Sequence, residues 1–423
     1  MSFTLKHIEG PISKEINLPA SKSISNRLLI IHALCKKRFT IENLSAANDT
    51  KILKKALRLK NKIIDAGEGG TTLRFLFAFL SGKDGVWKLS GSKRLMQRPI
   101  EPLIDALKKL GGDIEWRKNH WLIKGKSMTG GKLRINSGSS SQFISALLLV
   151  APTFKNGLQL LLKGKVVSSS YIDMTIELMR DYGIGVTVNK KTISVAHGKY
   201  QSKNSSVEAD WSAASCFYEL AALNPGSKIL LKRLKDDSLQ GDRVVAELFE
   251  VFGVKSSFFE NGVLIVSEEF ATKTLKHKEN ELKNLVPSRF SGIKISGTLI
   301  FDIKDCPDLF PALVVTCAAK KINATFKNTS HLNSKESERA NVFAQLLQQL
   351  GCKVKQTKNT FSIEAKNFQL PTSSFQLFSH NDHRIAMCFA PLASLFSSIT
   401  FDDEKVVRKS FPDFWMELKK KNS

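Results

Sequence analysis

Apolar and polar positions along this chain follow two periods in a fixed order. "PLIDALKKLGGDIEW" (102–116), "MTIELMRDYGIGVTV" (174–188), "VVAELFEVFGVKSSF" (244–258) and "NVFAQLLQQLGCKVK" (341–355) each place apolar residues at i, i+3, i+4 and i+7, then a glycine, then an alternating stretch. The first spacing predicts an amphipathic helix and the second a half-buried strand. Gly111, Gly183, Gly253 and Gly351 occupy the slot between them, where a helix ends readily on a left-handed residue. The spacing of roughly 70 residues, with one wider gap, is too long for a solenoid and suits a repeated supersecondary unit. The opening "NRLLIIHALCKKRFTIENL" predicts a fifth copy, and "KILKKALRLKNKIIDAG" a sixth that is cut short.

Repeated strand–helix–strand units predict an α/β fold of sheets and helices. A chain of 423 residues exceeds one ordinary core and predicts two domains. The polar, serine-rich "HGKYQSKNSSVEAD" (197–210) is the best boundary. The longest apolar runs, "FISALLLVAP" and "FPALVVTCAA", are too short to span a membrane, and "MSFTLKHIEGPIS" lacks the build of a signal peptide, so a cytoplasmic enzyme is expected. Six scattered cysteines with no C-x-x-C pair predict reduced core thiols.

The net charge of +25 admits two explanations. One is a polyanionic partner such as nucleic acid. The other is lysine spread over solvated faces, and the dispersed pairs in "LKKAL", "ALKKL" and "AAKKI" favour it, so no nucleic acid is expected. A small anionic substrate needs only a local subset of these charges.

Six stretches carry more polar chemistry than a packed core requires. "LPASKSISNR" (18–27) sets Lys22, Ser23 and Arg27 at the start of an apolar helix, and "GEGGTTLRFL" (67–76) opens another with glycines and threonines. "SKRLMQRPIEPL" (92–103) brings Arg94 and Arg98 to a turn before a helix. "SGSSSQFISALLL" (137–149) places serines and Gln142 before a buried helix. "SKESERANVF" (334–343) holds Lys335, Glu336 and Arg339, and "SHNDHRIAM" (379–387) holds His380, Asp382, His383 and Arg384. Each alone reads equally as a capped or salt-bridged helix start. Together they put Ser, Thr, Gly and a cation where a helix dipole is positive, which suits phosphate and carboxylate groups. Clustered His380, Asp382 and His383 with no distant fourth ligand make a poor metal site, and no metal is expected. No P-loop pattern and no nucleophile with a motif-level base are present.

With "RLMQRPI", "SSYIDMTIELM", "EADWSAAS", "PDLFP", "KESER", "NDHRIAM" and "KSFPDF", these segments form an ordered set that resembles the EPSP synthase family, the 3-phosphoshikimate 1-carboxyvinyltransferases, from about residue 10 to residue 415. The resemblance implies two similar domains, 20–207 and 1–19 plus 208–423. Each has three repeated β–α units with helices inside and sheets outside, and a two-stranded hinge joins them. It implies transfer of the enolpyruvyl group of phosphoenolpyruvate to the 5-hydroxyl of shikimate 3-phosphate. No cofactor, no membrane and a monomer are expected, as is closure of the domains on ligand.

By the same resemblance Lys22, Ser23, Arg27, Ser140, Ser141, Gln142, Ser168, Asp308 and Lys335 would hold shikimate 3-phosphate. Lys22, Gly70, Arg94, Gln142, Arg339, Arg384 and Lys409 would surround phosphoenolpyruvate. Asp308 would take the proton of the attacking hydroxyl, Glu336 would be the acid near C3, and Lys22 would assist both substrates. A carboxylate among so many cations is expected to have a lowered pKa, which suits a base better than an acid. The chain departs from the family pattern at Glu68, at Phe75 where a proline often stands, at His331 where asparagine is common, and between 50 and 67, where about twenty residues are missing. The sister transferases acting on UDP-N-acetylglucosamine usually read Lys-Asn where this chain reads Lys22-Ser23, and carry a reactive loop cysteine. Cys306 in "KDCPD" reads instead as a strand-like packing residue.

Overall fold

The computed structural model describes residues 2–59, 62–136, 140–164, 166–268, 297–369, 371 and 375–422. Ser137, Gly138 and Ser139 of the fourth polar segment lie outside them. The chain divides into two compact units, Ala20–Val207 and Met1–Pro19 with Glu208–Ser423, and each has its own apolar core.

Within Ala20–Val207 the main helices are α1 (Lys22–Leu34), α2 (Asn48–Arg58), α3 (Gly70–Ser81), α4 (Glu101–Lys109), α5 (Ser141–Val150) and α6 (Ser169–Asp181). One four-stranded sheet runs, in spatial order, Ile63–Asp65, Gly85–Ser90, His120–Gly125, Asp113–Arg117; the other runs Gly131–Asn136, Leu158–Lys163, Thr192–Val195, Val186–Asn189. In each, the first two strands are parallel and flank a helix, and a hairpin completes the sheet.

The unit containing Glu208–Ser423 repeats this plan. Its helices include α7 (Trp211–Leu223), α8 (Phe310–Ala319), α9 (Arg339–Gln349) and α10 (His383–Phe389). Ser13–Ile16 pairs parallel with Lys228–Lys232 beside the hairpin Val254–Ser267, and Thr298–Asp302 pairs parallel with Asn323–Lys327 beside the hairpin Lys353–Glu364. The four four-stranded sheets among the described residues share one strand order. In the first of this unit, the whole of 20–207 is inserted between the strand Ser13–Ile16 and its helix α7.

Burial explains the layering. Strands such as Gly131–Asn136 and Thr298–Asp302 alternate buried and exposed positions, so each sheet has one wet face. Helix α8 is buried from Phe310 to Ala318, and α3 is buried at all but one position, so these helices are apolar all round. Helices lie inside and sheets outside.

Three of the four glycine-stopped helices form as expected, and Gly111, Gly183 and Gly351 follow them with φ of +105°, +81° and +83°. The segment 244–252 differs: a single α-turn, Val245–Leu248, lies between two 3-10 stretches before Gly253. Its valines and phenylalanines lose side-chain freedom in an α-helix, and packing against the core sets the tighter winding. The shortened unit is visible as a sheet of only two paired two-residue strands, Ile41–Glu42 and Ser205–Ser206. Cys306 lies in irregular chain before the 3-10 turn Pro307–Leu309, not in a strand as the sequence suggested, and it is buried. No helix among the described residues is long and apolar enough to cross a membrane.

A Cβ at Gly351 would stand 2.3 Å from the Asn367 carbonyl oxygen, in addition to the positive φ. Gly351→Ala is therefore expected to lower stability by about 1–3 kcal/mol, whereas Gly185→Ala, with nothing within 4 Å of the added carbon, is expected to be close to neutral. Denaturant melts of the two variants check this.

Candidate active site

In Ala20–Val207, helix starts gather the polar segments. Ser21 caps α1 by accepting from the Ile24 N–H, and Lys22 opens the helix with its ammonium 3.3 Å from the Asp49 carboxylate at the start of α2. Arg27, one turn on, is 2% exposed. It donates to Thr175 Oγ1 (2.7 Å), Ser23 O (2.9 Å), Ser145 Oγ (3.2 Å) and Tyr171 O (2.9 Å), tying α1 to α5 and α6. Burial lowers its pKa to about 10, so it stays charged at neutral pH. Four of its five N–H donors are thus spent inside the protein, which leaves one for a ligand. Phe75 lies 5.7 Å under the same guanidinium, so the residue that departs from the family's proline packs against Arg27.

Gly70 opens α3, and its missing side chain is the reason two guanidinium groups can crowd it. A Cβ there would stand 2.7 Å from Arg98 Nη1 and 2.8 Å from Arg74 Nη1. Arg74 donates to Gly70 O (2.9 Å) and Pro99 O (3.1 Å). Arg98, not Arg94, is the cation brought to this helix start: Arg98 is buried, whereas Arg94 is exposed on the preceding turn. The sequence placed both arginines on one turn, and only burial separates them. Glu68 is exposed. Ser140 caps α5 by accepting from Gln142 N (3.2 Å), beside buried Ser141. Ser168, before α6, is buried and adopts φ +57°, a conformation uncommon for serine. Among the described residues neither Gln142 Oε1 nor Arg98 Nε has a hydrogen-bond partner, though both atoms are buried. Such orphaned polar atoms are rare in native interiors, where buried polar groups are hydrogen-bonded.

In the other unit the cations are held by carboxylates. Arg339 has no exposed side-chain surface and donates to Asp382 (2.9 and 3.2 Å), Glu336 Oε2 (2.9 Å) and Asp308 Oδ1 (3.1 Å). Asp382 also accepts from Ser337 Oγ (3.0 Å) and caps α10 through Arg384 N (3.1 Å), so its oxygens are engaged by protein donors. Consecutive left-handed residues, His380 and Asn381, turn the chain to deliver it. Asp308 accepts from Lys335 Nζ (3.4 Å), Arg339 and Arg384 Nη2 (3.0 Å). Its carboxylate does not cap the following helix.

Burial alone would raise the Asp308 pKa, but Arg384, Lys335 and Arg339 outweigh it and hold the carboxyl well below the usual range. For Arg339 burial opposes the charge, and Asp382, Glu336 and Asp308 overcome it. His331, at the rim, is pushed down to about 3 by burial and by Lys335, and is neutral. Lys409 ends the turn Glu404–Lys409 and is buried.

Asp242, which the sequence did not single out, belongs to this cluster. It contacts Ser212 Oγ, feels both Asp308 and Arg384, and is pushed up to about 7 by burial and by the Asp308 charge. Its signal, an aspartate in the "QGDRVV" turn, is indistinguishable from a surface residue without the fold. Asp49 was hidden in the same way.

Two carboxylates of opposite tendency beside three cations define an anion-binding, acid–base centre. The sequence profile of the EPSP synthase family (3-phosphoshikimate 1-carboxyvinyltransferase) matches residues 6–60 and 53–418, and the chain belongs to that family. The 3-phosphoshikimate 1-carboxyvinyltransferase of Bacteroides fragilis is 37% identical over 415 residues, covering 97% of this chain and 95% of the relative. That of Methanosphaerula palustris is 31% identical over 449 residues, covering 99% of each. The EPSP synthase structure from Acinetobacter baumannii superposes with a TM-score of 0.73 at 20% identity, over 98% of this chain and 97% of that one, and shows the shared fold.

The raised pKa of Asp242 has a signed consequence. Unfolded aspartate titrates near ~3.9, so between about pH 4 and 7 the folded chain binds more protons and stability falls as pH rises. Asp242→Asn removes that fall. The variant's melting temperature relative to wild type is expected to climb by several degrees from pH 5 to pH 8; a constant difference would count against the raised pKa.

Proposed function

We propose that this chain transfers the enolpyruvyl group of phosphoenolpyruvate to the 5-hydroxyl of shikimate 3-phosphate, releasing phosphate, as a cytoplasmic monomer without a cofactor. The reaction leads toward chorismate and the aromatic amino acids. The observation that carries the reading is Asp308, a largely buried carboxylate kept ionised by Arg384, Lys335 and Arg339.

In the addition step the 5-hydroxyl oxygen bonds to C2 of phosphoenolpyruvate, its proton passes to Asp308, and C3 gains a proton from the Glu336 carboxyl. Phosphate then leaves C2 as C3 loses a proton, which restores the double bond. Asp308 can take this proton because it is held ionised, and one of its contacts, Lys335 at 3.4 Å, is long enough to yield to a hydroxyl. Glu336 is assigned to C3. Its carboxyl gives the proton to C3 in the first step and, left ionised beside Arg339 Nη2 at 2.9 Å, takes one back in the second.

Shikimate 3-phosphate is assigned to Ser23, Ser140, Ser141, Gln142 and Ser168 at three helix starts, to the remaining donor of Arg27, and to Lys335. Phosphoenolpyruvate is assigned to Gly70, Arg339, Arg384 and Lys409, with Gln142 reaching it too, and Lys22 is shared. Arg98 takes the place given to Arg94, because its buried guanidinium lies against Gly70 with one nitrogen unpartnered. Planar guanidinium groups meet carboxylate and phosphate with two hydrogen bonds at once.

Phosphate release with both substrates, and with each omitted in turn, tests the reaction: release requires both, and release without shikimate 3-phosphate would overturn it. Lys22→Met is expected to abolish turnover while leaving the protein folded, since Lys22 is partly exposed and its ion pair with buried Asp49 is long, at 3.3 Å. Asp308→Asn is expected to lower kcat by about 10²–10⁴, or roughly 3–5 kcal/mol of barrier, in steady-state kinetics on folded protein. Full activity would remove Asp308 from the chemistry.

A further inference from the structure

Besides the centre above, the unit Ala20–Val207 contains a cavity of about 1080 Å³. It sits against the C-terminal ends of α1, α2, α3 and α5, where Leu29 to Leu34, Leu57, Phe79 and Val150 form its walls. The polar helix starts lie at the opposite ends of three of these helices; α1 alone, at 13 residues, separates the two by roughly 20 Å.

The lining has a one-sided charge. Lys36, Arg38, Lys54, Arg58 and Lys83 face the cavity, and among the described residues no carboxylate does. Lys83 lies over the Phe79 and Trp87 rings at 5.4 and 4.9 Å. Lys36, Arg38, Lys54 and Arg58 have no hydrogen bond or ion pair among the described residues. Basic residues at a helix C-terminus complement its dipole, which accounts for Arg58 and Lys36 by itself. It does not account for Arg38 and Lys54, nor for the apolar floor between the charges. The field is felt inside: the His32 pKa is lowered by partial burial first, and further by Arg58 and Arg38. The His32 ring meets Phe39 edge-on at 4.8 Å, giving the cavity an aromatic wall.

This end of the unit is also where the chain breaks from its family. The two segments that match the family profile meet at residues 53–60, the last turns of α2.

We propose that the cavity is a second binding site, for a small organic phosphate. The phosphates meet Arg38, Arg58, Lys36 and Lys54, and an aromatic or other apolar body lies on Phe39, Leu34 and Leu57. Several unpaired cations around one opening select a multiply charged anion, and the apolar walls select one with a non-polar body over a bare ion.

Equilibrium dialysis of the full chain at low ionic strength tests this, with adenosine triphosphate as probe and tripolyphosphate in parallel. Adenosine triphosphate is expected to saturate one site. The double variant Arg38→Gln/Arg58→Gln, altered at two exposed positions, is expected to bind it at least about tenfold more weakly. Tripolyphosphate, lacking a body, is expected to bind wild type weaker by about the same factor. Lys22→Met, altered at the far end of α1, is expected to bind adenosine triphosphate as wild type does. Absence of saturation, equal affinity in the double variant, equal affinity for tripolyphosphate, or loss of binding in Lys22→Met would each overturn the proposal.

Discussion

Arg339 is a permanent cation with no exposed side chain, and its ion pair with the equally buried Asp382 is the constraint on which its cluster depends. Taking two such groups out of water costs several kcal/mol each, and removing one partner alone typically costs about 3–5 kcal/mol. The protein meets that cost with geometry. Two nitrogens of Arg339 reach Asp382, and two further N–H groups reach Glu336 and Asp308. The same Asp382 caps α10 and so fixes Arg384, whose guanidinium returns to Asp308. One buried pair thereby positions both carboxylates and both arginines, and Arg384, with Lys335 and Arg339 after it, keeps Asp308 ionised where burial alone would neutralise it.

The other unit reaches polar helix starts by a different route. There the cations are pinned chiefly by hydroxyls and carbonyl oxygens: Arg27 by Thr175, Ser145 and two carbonyls, and Arg74 by the carbonyls of Gly70 and Pro99. The neutral acceptors around Arg27 do not cancel its positive charge, which suits a surface built for anions. The serines of the opening motif are accordingly divided in role, with Ser21 capping and Ser25 supporting the Ser45 backbone.

Much of this was legible in the chain. The paired periods with a glycine between them specify a helix stopped by a left-handed residue and a strand, and three of the four copies form so. The fourth fails because β-branched and aromatic residues carry the right spacing with weak helical preference, and spacing alone does not report that. The segments bearing Lys22, Gly70, Gln142, Arg339 and Arg384 stood out because polar residues interrupt apolar helix starts. Asp49 and Asp242 did not, since a charged residue in a turn looks the same whether it faces solvent or a buried partner. Arg94 and Arg98 lie four residues apart on one turn, and only tertiary packing decides which is buried.

The central claim is that buried cations hold Asp308 as a carboxylate through the acidic range. Carbon-13 NMR of aspartate-labelled protein, with the Asp308 signal assigned by its loss in Asp308→Asn, measures this directly. The account predicts that the signal stays at the ionised position from pH 7 down to pH 4.5. A titration at or above the ordinary aspartate value of about 3.9, with the protein still folded, would contradict it.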